Sequence, residues 1–153
     1  MDKLREKLKQ LAEKPKSAFK SEEATKMGLI IPVLQALGWD VFDPDEVMPE
    51  TVASGGNVDI CLAIGGQDQV FIEAKKASEK LEGHQEQLLK YCFGRGAHLA
   101  VLTNGFEWWF YLPMKQVPWE KRRFLEVDLA APDAGEQLHP LLSRGEVDRK
   151  SVV

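Results

Sequence analysis

Histidine and cysteine are scarce in this chain, and that scarcity removes several kinds of chemistry. The 153 residues include two cysteines, Cys61 and Cys92, and three histidines, His84, His98 and His139. Two cysteines cannot form a disulfide framework, and none of the five stands in a paired spacing that would hold zinc. Two reduced, partly buried thiols are expected instead. A long hydrophobic run is also missing. The longest, Leu29 to Leu37, is broken by Pro32 and Gln35 and falls well short of the ~20 residues a membrane span requires. The N-terminus, MDKLREKLKQLAEK, is too charged for a secretory signal, so cytoplasmic residence is expected. Nor is there an excess of basic residues: net charge is -4 and pI is about 5.5. That counts against holding a nucleic-acid duplex by phosphate contacts alone. No Gly-Lys-Ser/Thr loop is present to cradle a nucleotide triphosphate, and no repeat, low-complexity tract or linker suggests a second domain.

What is present is the composition of an ordinary folded domain, 44% hydrophobic and 29% charged, at a length able to bury one core. Leu4, Leu8 and Leu11 at helical spacing predict an amphipathic helix over 2–14. A second helix is expected from Ser21 to Gly38, with Met27, Ile30, Ile31, Leu34 and Leu37 on its apolar face and a kink at Pro32. Beyond Trp39 the period changes to two. WDVF and the stretch around EVMPE are weak strands, while NVDICLAI and QVFIEAKK are strong strands around Gly65-Gly66. LEGHQEQLLKYCFGRG reads as a helix closed by Gly94 or Gly96. AHLAVLTN and FEWWFYL form a hairpin around Asn104-Gly105, with the aromatics alternating between core and surface. RRFLEVDL is a further strand, Ala134 to Leu142 a short helix, and residues 144–153 a frayed tail. This order predicts an α/β fold with a central mixed sheet and helices on both faces. One domain spans 1–153, its core about 20–128.

Both strong strands carry charge where a plain core strand would not. Glu73 and Lys75 are two apart and share a face, with Ile72 and Ala74 on the other. A turn centred on Gly66 sets Asp59 directly across from Glu73, with Cβ atoms about 5 Å apart. A two-residue turn at Gly65-Gly66 would set Asp59 across from Ile72 instead, so the pairing requires an odd loop or a bulge. Two facing carboxylates repel unless a cation lies between them. With the backbone carbonyl of Ala74 they form a hard oxygen set suited to Mg²⁺, with Mn²⁺ as substitute. Lys75 beside such a metal could orient a water and neutralise charge on a phosphate. A half-exposed hairpin with a surface Glu73–Lys75 or Glu73–Lys76 salt bridge is the competing account.

Asp59…Glu73-x-Lys75 after a helix bearing Glu23 resembles the PD-(D/E)xK nuclease superfamily. SEEATKMGLIIPVLQALGWD, MPE, VDICLA, VFIEAKK, QLLKY and AVLTNGFEWWFY, over about residues 20 to 112, resemble the N-terminal nuclease domain of type I restriction enzyme R subunits and its stand-alone relatives. The resemblance implies a restriction-endonuclease-like three-layer α/β/α sandwich and a metal-dependent DNA endonuclease. It implies Asp59 and Glu73 as metal ligands with Ala74, Lys75 as catalytic lysine, and Glu23 as the acid contributed by the second helix, with Glu22 the competing choice. Gln87 and Tyr91 match the Gln-x-x-x-Tyr motif of many such nucleases and share a helix face. Val58 stands where the strict motif has proline. The restriction subunit also carries helicase motors, for which this sequence shows no motif, so ATP hydrolysis and translocation are not expected of it. DNA is the implied partner, along with restriction-modification subunits supplying specificity or translocation, or a second copy cutting the other strand. A non-catalytic binding module and a repair- or resolvase-type nuclease are the alternatives. Lys75, Lys76, Lys80, Lys90 and Arg95 are expected to line one DNA-facing rim, and Lys121, Arg122 and Arg123 a second.

Overall fold

Consecutive glycines can both take positive φ, and the first strong hairpin rests on that freedom. The computed structural model describes residues 1–53 and 56–151; for 50–53, 56, 57, 93 and 94 only the backbone is described. Gly65 and Gly66 stand at φ 58° and 82°. This is the two-residue turn whose twist suits antiparallel strands, and it pairs Ile64 with Gln67. Carried along both strands, that register would place Asp59 across from Ile72. A bulge at Leu62/Ala63 intervenes, with Gln69 as the extra residue, and beyond it Cys61 pairs with Phe71 and Ile60 with Ile72. The next pair in this register is Asp59 and Glu73. A single inserted residue restores the register of an odd loop.

Six strands lie side by side in sequence order: β1 (Val47–Ala53), β2 (Gly56–Ile64), β3 (Gln67–Ala74), β4 (Leu99–Thr103), β5 (Glu107–Tyr111) and β6 (Arg123–Asp128). Only the β3–β4 pair is parallel, joined by α4 (Gln85–Arg95). Helices cover both faces. Ile60, Ile72, Ala74, Val101, Trp108 and Phe110 pack with residues of α1 (Asp2–Ala12), α3 (Ile31–Ala36), α5 (Ala134–Leu142) and α6 (Arg144–Ser151). Cys61, Phe71, Leu102, Trp109 and Tyr111 pack with Leu88, Leu89 and Cys92 of α4. The aromatics of β5 thus alternate between two cores rather than between core and solvent, because both faces of this strand are covered.

Several expected elements take other forms. The long second helix is three pieces: α2 (Glu22–Thr25), a π turn over Lys26–Ile30, and α3. The wider turn lies just ahead of Pro32, whose ring and missing N–H spoil a regular α-turn at this point. It shifts the helical phase, so Met27 is exposed while Leu29, Ile30, Val33 and Leu34 are buried. Trp39–Phe42 is not a strand. Asp40 and Asp43 accept hydrogen bonds from the amides of Phe42 and Asp45 and turn the chain, while the Trp39 indole donates to the Leu142 carbonyl at 2.8 Å. Residues 81–84 are loop, and α4 begins only at Gln85, closing at Gly96 with φ 73°. The expected tail is helix: in α6 Val147 is buried and Arg144 pairs with Glu46 at 3.1 Å. Residues 152 and 153 lie outside the described residues. The two cysteines are free and buried.

Candidate active site

The β2–β3 ladder ends at Ile60–Ile72 among the described residues, and a side chain takes over where the backbone pairing stops. Asp59 Oδ2 accepts a hydrogen bond from the Ala74 N–H at 2.8 Å. In an extended strand a residue's N–H and C=O point to the same edge, so the Ala74 carbonyl is on Asp59's side of β3. Glu73 is buried beside Asp59, within hydrogen-bonding reach. Burial first, then the hydrogen bond to Asp59 and its charge, push the Glu73 carboxyl far above the ordinary carboxylate range, with Lys75 as the opposing influence. In the metal-free site that shift favours one proton shared between the two carboxyls.

Of the two helix acids, it is Glu22 that the structure brings within electrostatic reach of Asp59 and Glu73. Burial and then the charge of Asp59 raise the Glu22 carboxyl, and Lys75 and Lys26 lower it. The Glu23 side chain is 72% exposed and pairs with Lys26 at 2.6 Å. Ser21 caps the helix, its Oγ accepting from the Ala24 N–H at 3.0 Å, and so sets the phase. Glu22 then shares a face with the buried Thr25, Lys26 and Leu29, at spacings of three, four and seven. Extending the buried face of the helix backward from Leu29 would have selected Glu22 from sequence.

Lys26 is the residue the sequence reading left without a role. Its side chain is 10% exposed, with Nζ 3.8 Å from Asp59 Oδ1. Burial acts to lower its pKa, but the Glu23 hydrogen bond and the charges of Asp59, Glu23 and Glu22 hold its ammonium above the ordinary value. Thr25 secures the other wall: its Oγ1 donates to the Ser21 carbonyl and accepts from the Ala77 N–H, both at 3.0 Å. The connection after β3 is further tied by Lys75 N–H to Thr103 O at 2.8 Å and by Asn104 Nδ2 to Glu79 O at 2.9 Å. Asn104-Gly105 forms the expected turn, and a Cβ on Gly105 would meet Leu29 Cδ2 at 2.3 Å. The α2–π–α3 segment, the loop after β3 and the β4–β5 turn are thereby packed together around the acids.

The Gln-x-x-x-Tyr pair lies one step away. Gln87 is exposed, and no hydrogen bond joins it to the acids among the described residues. Tyr91 is buried with its ring 5.0 Å from that of Phe71, the next residue along Glu73's face, and under the Arg95 guanidinium. Burial raises its hydroxyl pKa, and the groups that act on it include Arg95, Cys61, Asp68 and Cys92, at the other end of the strand pair. The expected basic rims are partly neutralised. Arg95 pairs with Asp68 and Lys90 with Glu86. Arg122 donates to the carbonyls of Val117 and Pro113, and Arg123 stacks on Trp109. Lys75, Lys76 and Lys80 form no ion pair within 4.0 Å among the described residues.

As a metal centre, Asp59, Glu73 and the Ala74 carbonyl supply the right donor type, and a proton shared by two adjacent carboxyls is what a divalent cation would replace. Among the described residues, no three His, Cys, Asp or Glu side chains gather into a group able to hold a metal ion. A bound ion would thus depend on the carbonyl and on waters.

No protein-family profile and no curated protein matches the chain. Solved structures do. The chain is similar to DrdV in its complex with DNA, at 14% identity and TM-score 0.57, over 92% of this chain and 14% of that one. It is also similar to a fragment assigned as an HsdR subunit of a type I restriction enzyme from Vibrio vulnificus YJ016, at 16% identity and TM-score 0.54, over 76% and 24%. The fold is restriction-endonuclease-like α/β, and the chain spans a quarter or less of the length of either neighbour. No helix among the described residues is long and apolar enough to cross a membrane.

Proposed function

We propose that the chain is a metal-dependent DNA endonuclease of the restriction-enzyme type. The observation that carries this reading is the Asp59–Glu73 pair, with Glu73 buried and Glu22 and Lys75 acting on it, at the end of a strand ladder. Burying an acid beside a second carboxylate costs stability, and such pairs mark sites where chemistry uses them. Asp59, Glu73 and the Ala74 carbonyl would hold Mg²⁺, or Mn²⁺ in its place. When bound, the ion would supply charge stabilisation on the phosphate and a more acidic water. Glu73 gives up its proton as the site loads. Glu22 accepts a hydrogen bond from the attacking water and holds it on the side of the acids. Lys75 neutralises charge developing on the phosphate oxygens. Lys76 and Lys80, on the connection that Thr25 and Asn104 tie down, contact the DNA backbone. Base specificity and translocation would come from restriction-modification partners, because the neighbours of this fold are several times longer. A homodimer is the route to cutting both strands.

With no three-acid metal group among the described residues, one second reading is a DNA-binding module of the same fold that does not cut. Incubation of linear, circular and branched DNA with the protein and Mg²⁺ or Mn²⁺ separates the two. Cleavage that Asp59→Asn abolishes supports the nuclease. DNA binding without cleavage in either metal supports the module.

A further inference from the structure

A lysine ammonium is hard to bury, and a chain that buries one beside two carboxylates from different elements gives it a task. Lys26 opens the π turn, and the turn is locked in place: a Cβ on Gly28 would meet Phe19 Cε1 at 2.9 Å, and Leu29 packs under Gly105. The ammonium spans two partners, Glu23 Oε1 at 2.6 Å and Asp59 Oδ1 at 3.8 Å, while Asp59 Oδ2 is bound by the Ala74 amide. Both oxygens of Asp59 are therefore held before any metal arrives. Glu23, outside the acid cluster, is the shorter of the two contacts.

We propose that Lys26 is a positioning residue for Asp59, the resident counter-cation that holds Oδ1 and yields it when a divalent cation enters, withdrawing onto Glu23. The metal-exchange half of this role rests on the nuclease reading; the Lys26–Asp59 contact does not. Two consequences follow from charge alone. Removing Lys26 removes a positive charge a few ångströms from the metal position, so the metal binds more tightly. Removing Glu23 deprives Lys26 of its alternative partner, so the metal binds more weakly.

The test is Mn²⁺ titration by calorimetry, with thermal unfolding of metal-free protein. Lys26→Met is expected to bind Mn²⁺ about tenfold tighter than wild type, a change of about 1.4 kcal/mol. Lys26→Arg should stay within about threefold, and Glu23→Gln should bind about threefold more weakly. Without metal, Lys26→Met should lower Tm by about 3–6 °C, and this loss should vanish in an Asp59→Asn background. A lysine that merely fills space predicts the opposite: Mn²⁺ affinity unchanged or lower in Lys26→Met, and Tm losses that add. Either result overturns the proposal. If Lys26→Met fails to fold, Lys26→Gln carries the same comparisons. If wild type binds no Mn²⁺, the nuclease reading fails separately, and additive Tm losses in the Lys26–Asp59 cycle then overturn the contact as well.

Discussion

Two acids on one face of the β2–β3 hairpin have opposite surroundings. Asp68, near the turn, has a guanidinium at 2.8 Å from Arg95, whose own charge lies over the rings of Phe71 and Tyr91. Glu73, at the far end, is buried against the carboxylate of Asp59, and burial and that neighbour hold its carboxyl well above the ordinary range. Between them lie the bulge at Gln69 and then a regularly paired apolar run, Val70 to Ile72. A carboxylate with a cation built against it is part of the structure. One that rests on a proton shared with a second carboxylate is poised to exchange that proton for a divalent cation.

The sharpest break between the two ends should come from neutralising each. Asp59→Asn or Lys75→Ala should cut DNA cleavage by about a thousandfold or more, measured as single-turnover rate with saturating Mg²⁺, while Asp68→Asn leaves that rate within about threefold. The helix acids give the next largest contrast. Glu22→Gln should slow the reaction about 10- to 100-fold and Glu23→Gln far less, and the reverse order would return the role to Glu23. On stability the two ends should exchange ranks. Asp68→Asn strands Arg95 and should cost about 1–2 kcal/mol in urea unfolding.

Glu73→Gln should instead stabilise the metal-free protein by about 1–2 kcal/mol near pH 8. The sign follows from linkage. Glu73 is raised in the folded state, so from its ordinary value of 4.5 upward to its raised folded value the native state holds a proton the unfolded state has lost. Stability therefore falls as pH rises through that window. Below the unfolded value both states are protonated, and the advantage of Gln should disappear from the Tm–pH curve.

Much of this was legible in sequence, for identifiable reasons. Period two with charge at Asp59, Glu73 and Lys75 marked the hairpin and its special face. The need for a bulge was legible too, since only Gly65-Gly66 separates the strands, though not its place at Gln69. A face drawn through Met27 points to Glu23, whereas one counted back from Leu29 or forward from the Ser21 cap points to Glu22; the π turn ahead of Pro32 separates the two phases. Lys26 was invisible as a site residue because its burial depends on that same turn. The motif points Tyr91 toward the chemistry, and the register of α4 packs its ring against Phe71, a contact the motif does not foretell. Helix phase after an irregular turn is a tertiary outcome, and local periodicity does not carry it.

The central claim is that Asp59 and Glu73 form a cation site closed by a proton. Calorimetric titration of Mn²⁺ in two buffers of different ionisation heat tests it most directly. The account predicts binding that releases close to one proton below the raised pKa of Glu73 and tightens as pH rises. It predicts loss of binding in Asp59→Asn, and loss of the released proton in Glu73→Gln. Binding that releases no proton, or that survives Asp59→Asn unchanged, would contradict it.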